Sequence, residues 1–271
     1  MARAVAFCGL CFISFLSATE IHYVNVERRI VDQRLESFGT TNAARHDTIS
    51  KLFETAGCGG QIADQPVKHA KTPNVICSFV GSSDSEIVVG AHYDFVDIGS
   101  GVIDNWSGAS MLPSLFEGLK TQPRKHTFVF IAFTNEEEGL VGSAFYLRHL
   151  SRSEIKRIAA MVNLDSLGAG PTKFEKDRGD KRLAKALVDI ATSFKLPLSI
   201  VDMHRVGRSD SDSFQDSGVP TINLHSLTQQ TYPLLHSRRD QIGAVQRDDY
   251  YDSYRLIQAY LAYLDESLAA P

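Results

Sequence analysis

The chain has 271 residues, of which 43% are hydrophobic and 22% are charged, the composition of an ordinary globular protein. It is long enough for a large α/β domain with a full hydrophobic core. The net charge of −4 gives no electrostatic support for nucleic acid or an anionic membrane surface as a partner.

Residues 1–18 have the pattern of a secretory signal peptide. Arg3 supplies a basic start, residues 4–16 form an apolar stretch, and small residues up to Ala18 supply a cleavage site. The apolar stretch is too short to span a membrane comfortably. An uncleaved anchor is the alternative. We therefore predict a mature chain over 19–271 that is secreted or periplasmic and has no stable membrane partner after cleavage.

Two cysteines, Cys58 and Cys77, remain in the predicted mature chain. An even pair in an oxidising compartment favours one disulfide bond. Two free buried thiols are the alternative at this point.

Apolar spacing and helix-end signals predict two helices at the start of the mature chain. The first covers residues 22–38, and Gly39 ends it. The second begins at Thr41 or Asn42 and runs to Thr55.

Beyond the second helix, short apolar runs typical of strands alternate with helical stretches. The predicted strands are 74–80, 86–91, 127–133, 159–163, 198–201 and 221–224. The predicted helices are 106–120, 140–157, 179–195 and 246–268. This alternation predicts an α/β fold, a three-layer α/β/α sandwich with a central mixed, mostly parallel sheet. Because the sequence has no repeat or linker, we predict one catalytic domain over 19–271.

Histidine and acidic residues follow several predicted strands at the point where each strand ends. His92 and Asp94 follow the run EIVVGA, and three glutamates, 136–138, follow the run TFVFIAF. Asp165 follows the run MVNL. Ligands gather at the carboxyl ends of strands in such sheets, so we expect these side chains to converge.

Two further residues extend this set. Asp104 lies in GVIDNWSG before a predicted helix, and His236 lies in YPLLHSRRD after the last predicted strand. Taken singly, each residue has an ordinary explanation as a loop, cap or solvated side chain. Together, two histidines and three carboxylates are a ligand set that suits zinc, with manganese or cobalt as substitutes. That many ligands can hold two divalent ions that share one carboxylate.

Five segments of the sequence resemble those of secreted di-zinc aminopeptidases. They are GAHYD, GVIDNWSG, NEEEGLVGS, VNLDSLG and LHSRRD, and they occur in the order and approximate spacing of that family. The family also contains glutamate carboxypeptidase-like and glutaminyl cyclase-like enzymes. The resemblance covers about residues 70–265, and RSDSDSFQDSGVP is similar to a further segment of the family.

The resemblance implies two Zn²⁺ ions as cofactors and a role for each ligand. His92 and Asp165 would hold one ion, and Glu137 and His236 would hold the other. Asp104 would bridge the two ions.

The resemblance also implies a zinc-dependent exopeptidase, most simply an aminopeptidase that acts on a peptide or small amide substrate. A water shared by the ions would attack the carbonyl carbon, and Glu136 would be the general base.

The resemblance and the spacing also assign neighbours of the ligands. Asp94 would orient His92, Asp240 would support the loop of the last histidine, and Glu138 would be exposed. The family's cis peptide bond would fall at Asp104-Asn105.

Three other functions stay open. A glutaminyl cyclase-like zinc acyltransferase needs one zinc, and His92 together with the Asp104-Asn105 pair favours the two-ion peptidase over it. A secreted binding module without catalysis is disfavoured by the complete ligand set. A carboxypeptidase of the same family needs a basic clamp for the substrate carboxylate. The candidates for that clamp are Arg205, Arg208, Arg238 and Arg239.

The sequence does not specify an oligomeric state. It gives only candidates for contacts to the substrate. Asp97, Asp210 and Asp212 are candidates for binding the free amine of the substrate. Tyr232 lies four residues before His236 and is a candidate for binding the oxyanion, with packing in the core as its alternative.

Overall fold

A central six-stranded sheet organises the protein in a computed structural model that describes residues 20–202 and 207–269. Its strands are β1 (Ala63–Gln65), β2 (Asn74–Phe79), β3 (Glu86–His92), β4 (Thr127–Phe133), β5 (Ile158–Leu164) and β8 (Thr221–Leu224). The order is β1-β2-β4-β3-β5-β8. β4, β3, β5 and β8 are parallel, whereas β2 pairs antiparallel with β1 and β4. The predicted mixed, mostly parallel sheet is confirmed. The predicted signal peptide, residues 1–18, lies outside the described residues.

A second, two-stranded parallel sheet consists of β6 (Thr172–Glu175) and β7 (Leu198–Val201). The run 198–201 is therefore a strand, as predicted, but it does not join the central sheet. Its residues are half-buried or exposed, which is unlike the fully buried strands of a central parallel sheet. β6 was not predicted, since its four residues TKFE carry no apolar run.

Helices cover both faces of the central sheet. They are α1 (Arg28–Glu36), α2 (Asn42–Thr55), α3 (Ser107–Leu119), α4 (Val141–Arg148), α5 (Arg152–Arg157), α6 (Lys181–Phe194), α7 (Asp210–Asp216) and α8 (Arg247–Ser267). The larger core includes side chains of α1, α2, α3, α6 and α8, and the smaller core includes side chains of α4 and α7. These are the three layers that the sequence predicts. Within the described part of the chain, no helix combines the length and apolar character needed to cross a membrane.

The helices differ from prediction in two boundaries and in one additional helix. The stretch 140–157 is two helices, because Ser151 forms a capping box with Glu154 that starts α5. The first helix begins at Arg28 rather than at residue 22. The short α7 was not predicted, although Ser209 and Asp212 form a capping box at its start.

Strand β4 shows why the central strands appear as continuous apolar runs. Phe128 and Phe130 pack into the larger core, while Ile131 and Phe133 pack into the smaller one. Both faces of the strand are thus removed from water, as in parallel sheets covered by helices on each side.

Cys58 and Cys77 form a disulfide bond, with an S–S distance of 2.08 Å and a Cα–Cα distance of 6.2 Å. The predicted pairing is therefore confirmed, and the alternative of two free thiols is wrong. The bond joins the segment after α2 to β2 and lies inside the larger core.

Candidate metal centre

The carboxyl ends of β3, β4 and β5 lie at one edge of the sheet because these strands are parallel neighbours. His92 is the last residue of β3, and Asp165 directly follows β5. Glu136 and Glu137 follow β4 in a tight turn. These residues line one cavity of about 620 Å³, together with Asp104 and His236. The structure thus brings together the five predicted metal ligands and the predicted general base.

Asp104 lies between the two histidines. Its Oδ1 atom is 3.3 Å from Nε2 of His92, and its Oδ2 atom is 3.2 Å from Nε2 of His236. Asp165 Oδ1 is 3.7 Å from Nε2 of His92, and Glu137 Oε2 is 2.9 Å from Nε2 of His236. Each histidine therefore faces Asp104 and one further carboxylate of its own.

The turn after β4 directs two consecutive glutamates into the cavity. The carboxylate of Asp94 accepts hydrogen bonds from the backbone N–H of Glu136 at 3.0 Å and of Glu137 at 3.2 Å. Gly139 has a φ of 103°, and Leu140 starts α4 in the left-handed conformation. The third glutamate, Glu138, is exposed, as predicted.

The predicted contact between Asp94 and His92 differs from the observed one. The Nδ1 atom of His92 lies 3.2 Å from the backbone carbonyl oxygen of Asp94 but 3.6 Å from its carboxylate. The carboxylate is instead engaged by the turn after β4. Asp94 therefore links the β3 and β4 ends, because its carbonyl faces one and its carboxylate holds the other.

Asp240 and Asn105 hold the segment that carries Asp104. The Asp240 carboxylate accepts from the backbone N–H of Ile103 at 2.7 Å and of Asp104 at 3.1 Å. Asp240 thus fixes the segment of the central carboxylate, whereas we expected it to support the loop of the last histidine. The Asn105 amide donates to Leu164 O at 2.8 Å, next to Asp165. The peptide bond Asp104-Asn105 is cis, as the family resemblance implies.

The site carries more negative charge than the cations around it balance. Burial, together with carboxylates such as Asp210, raises the pKa of Glu136 to about 9. Burial and Asp104 raise the pKa of Glu137 to about 7. The hydrogen bond to Asp104 is the main cause that raises the pKa of His236 to about 9. Protons are thus retained where a divalent cation would replace them, which is typical of a metal site.

The candidate substrate contacts fall into different environments. Tyr232 lines the cavity and is 37% exposed, so the alternative of core packing is wrong. Asp210 is fully buried, and Asp212 pairs with Arg178 at 2.8 Å. Asp97 is exposed and is not among the described residues that line the cavity. These environments leave Tyr232 as the candidate contact that faces the cavity.

The arginines considered for a carboxylate clamp do not form one group. Arg208 lines the cavity and pairs with Asp216, whereas Arg239 donates to the backbone oxygen of Pro233. Arg238 is exposed, and Arg205 lies outside the described residues. Among the described arginines of this set, Arg208 is thus the one at the cavity.

Sequence reasoning missed His225, which also lines the cavity. Its Nδ1 atom accepts from the backbone N–H of Leu227 at 3.1 Å, and its Nε2 atom lies 3.4 Å from Glu175. His225 directly follows β8, so it obeys the strand-end pattern that identified His92. The same pattern, applied to the last strand of the sheet, finds it.

Comparison with known proteins gives a consistent group of relatives. A model of peptidase family M28 matches residues 74–261. The chain is 30% identical over 175 residues to aminopeptidase YwaD of Bacillus subtilis, a match that covers 60% of this chain and 37% of that protein. It spans between 30% and 41% of the length of the first three curated relatives it matches.

Solved structures share the fold. The structure of BSAP, a zinc aminopeptidase from Bacillus subtilis, aligns with a TM-score of 0.66 and 27% identity, covering 72% of this chain and 51% of that one. Porphyromonas gingivalis glutaminyl cyclase aligns with a TM-score of 0.70 and 15% identity, covering 87% of this chain and 96% of that one. At 15% identity, the alignment with the glutaminyl cyclase supports a shared fold and nothing further.

Proposed function

The chain belongs to peptidase family M28, and on that basis we propose that it is a zinc-dependent aminopeptidase, which hydrolyses the N-terminal bond of peptides. The position of Asp104 carries this proposal. Its two carboxylate oxygens lie 3.3 and 3.2 Å from the Nε2 atoms of His92 and His236. A carboxylate that faces an imidazole on each side suits a pair of divalent ions that share it as a bridging ligand.

The donor set fits two Zn²⁺ ions. Imidazole nitrogen and carboxylate oxygen are ordinary zinc ligands, and an open position on a catalytic zinc admits water or substrate. Ligand atoms of His92, Asp104 and Glu137 lie within 4.8 Å of one another, and so do those of His92, Glu136 and Asp165. His236 completes the first group through its contacts with Asp104 and Glu137. We assign His92 and Asp165 to one ion, Glu137 and His236 to the other, and Asp104 to both.

Bound zinc would supply Lewis acidity toward the substrate carbonyl and would activate water near neutral pH. Glu136 is the residue that moves the proton. It lines the cavity, and its Oε2 atom lies 4.0 Å from Nε2 of His92. It would take a proton from the attacking water and return it to the leaving amine. Cations beside Glu136 would favour its ionised form, as a general base needs.

The substrate carbonyl needs a second polar partner once it becomes tetrahedral. We propose Tyr232 for this role because it lines the same cavity as Glu136. Its neighbours in the cavity, Leu227 and Leu235, offer apolar surface to the substrate.

The experiment uses the purified full chain with aminoacyl-arylamides and short peptides, before and after treatment with a zinc chelator. We expect hydrolysis of substrates with a free amino terminus, loss of activity with the chelator and recovery with added zinc. Elemental analysis should give two zinc ions per active chain. Acetylation of the substrate amine should abolish its cleavage.

Other results would assign other functions. One zinc per chain with pyroglutamate formed from an N-terminal glutamine peptide would indicate a cyclase. Cleavage of acetylated peptides from their carboxyl end would indicate a carboxypeptidase. Bound zinc without turnover of any peptide would indicate a binding protein.

We propose in addition that the protein is exported to the periplasm or the exterior. The pattern of residues 1–18 and the Cys58–Cys77 disulfide support export, because disulfides persist in oxidising compartments. Sequencing the amino terminus of the exported protein should give a start near Thr19. An unprocessed amino terminus would contradict cleavage.

A further inference from the structure

Arg45, near the start of α2, is a fully buried arginine beside the loops that carry two candidate ligands. Its guanidinium lies 4.1 Å from the centre of the Phe95 ring and 5.6 Å from that of the Trp106 ring. An arginine seldom occupies a fully buried position unless its donors are used. The acceptors of its hydrogen bonds therefore indicate the role of Arg45.

The guanidinium of Arg45 joins the two loops through backbone oxygens. Its Nη1 atom donates to Tyr93 O at 3.0 Å. Tyr93 lies between His92 and Asp94 in the sequence. Its Nη2 atom donates to Gly101 O at 2.8 Å, in the loop that leads to Asp104. One rigid, planar group thus contacts both the loop that follows β3 and the loop that precedes α3.

Two further hydrogen bonds of Arg45 and the close packing at Gly101 limit how these loops can move. Nη2 of Arg45 also donates to Ser100 O, and Nε donates to Gly39 O at 3.2 Å. Gly101 has a φ of 51°, and a Cβ atom there would come within 2.5 Å of the Phe95 side chain. The loop before Asp104 is therefore packed tightly against the group that holds it.

The charge of Arg45 is retained despite its burial. Burial lowers its pKa to about 10, and the neighbouring carboxylates, with Asp240 as the largest contributor, oppose that decrease. The residue is thus cationic at neutral pH. Its described hydrogen bonds go to carbonyl oxygens, so the carboxylates of the site stay available for other ligands.

We propose that Arg45 is a positioning residue that sets the spacing between His92 and Asp104, and through that spacing the geometry and affinity of the metal centre. This inference rests on the proposed metal centre but not on the proposed aminopeptidase activity. It requires the planar fork of arginine, because a lysine keeps the charge but cannot bond to both loops with the same geometry.

The test compares Arg45→Lys with Arg34→Lys, a matched control. Arg34 is also buried, and it donates to Ser114 Oγ at 2.9 Å and pairs with Glu117, both in α3. Zinc affinity is measured on the full chain by competition with a chromogenic chelator. The visible spectrum of the cobalt-loaded protein reports ligand geometry independently of activity.

We expect Arg45→Lys to weaken the binding of zinc by about 10–100-fold, the range for groups that support metal ligands, and to change the cobalt spectrum. Arg34→Lys should keep wild-type zinc affinity and the wild-type spectrum, even if both variants lose thermal stability. Wild-type affinity and spectrum in folded Arg45→Lys would overturn the proposal. A wild-type chain that binds no zinc would overturn both this proposal and the metal centre.

A second variant covers the case in which Arg45→Lys does not fold. Phe95→Leu removes the half-buried ring on which the guanidinium stacks and leaves its hydrogen-bond acceptors in place. We expect a change in the cobalt spectrum in the same direction with a smaller loss of zinc affinity. An unchanged spectrum and affinity in Phe95→Leu would contradict positioning through Arg45.

Discussion

Buried acidic side chains lie near both ends of β4, and their negative charge is compensated in different ways. At the amino end, the Asp265 carboxylate accepts from the backbone N–H of His126 at 2.8 Å and of Lys125 at 3.1 Å. Arg124 lies 3.9 Å away. Burial alone would raise the pKa of Asp265, but hydrogen bonds from His126 and these backbone groups lower it overall.

At the carboxyl end, the pKa values of Glu136 and Glu137 are raised to about 9 and about 7, chiefly by burial. The nearby Arg45 gives its hydrogen bonds to carbonyl oxygens rather than to these carboxylates. Donors of the chain itself stabilise the buried Asp265, which serves the fold. An acid cluster that the chain leaves uncompensated needs a cation from outside.

A substitution at the carboxyl end of β4 should change activity more than any other change considered below. Glu136→Gln removes the proposed proton carrier but keeps its size, so kcat should fall by about 10²–10⁴-fold. Zinc content should stay at the wild-type value, because Glu136 is not an assigned ligand. Steady-state kinetics on an aminoacyl-arylamide and elemental analysis of the same samples measure both quantities.

The control for that variant is Glu138→Gln, two residues further along the same turn. Glu138 is exposed and has no proposed role in catalysis, so the kcat of Glu138→Gln should equal that of the wild type. Full activity in Glu136→Gln would remove that residue from catalysis and would place the general base elsewhere in the cavity.

A smaller effect is expected at the amino end of β4, on stability alone. Asp265→Asn removes the buried charge that Arg124 and the backbone N–H groups face, and the unfolding free energy should fall by about 3 kcal/mol. Denaturant unfolding monitored by fluorescence measures the loss. Zinc affinity should not change in this variant, and a parallel loss of zinc would contradict the independence of the two clusters.

The affinity for zinc should depend on pH, with a weaker influence than the two substitutions above. The raised pKa of His236, about 9, means that its ring is protonated at neutral pH in the zinc-free protein. Zinc binding must displace that proton, so affinity should rise with pH by about tenfold per unit for each proton released. Calorimetry in two buffers of different ionisation enthalpy counts the protons. A pH-independent affinity between about pH 6 and pH 8 would contradict this.

Much of the centre follows from the sequence because it depends on local patterns. β3, β4 and β5 are buried on both faces, so they appear as apolar runs, and polar residues that end such runs are easily noticed. His92, Asp165 and the run of three glutamates stand out in this way. The family resemblance then singled out Glu137 as the predicted ligand and paired these residues with Asp104 and His236.

The parts that were missed depend on contacts between distant residues. Arg45 contacts backbone oxygens 48 and 56 residues away, and no local pattern marks it. Asp94 does contact His92, but its carboxylate also accepts hydrogen bonds from a turn 42 residues further on, which adjacency to His92 does not indicate. The pairing of β7 with β6 was likewise not predicted, because the residues within a strand do not specify which strand lies beside it.

The candidate ligands come from separate segments that span residues 92 to 236. During synthesis on the ribosome, β3, β4 and β5 therefore emerge before the last ligand, His236, has been made. Small zinc fingers fold only when they capture their ion. Here the apolar strands are buried in two hydrophobic cores, and burial of apolar surface favours folding without an ion. We therefore expect metal to load late, into a chain that has already reached its shape.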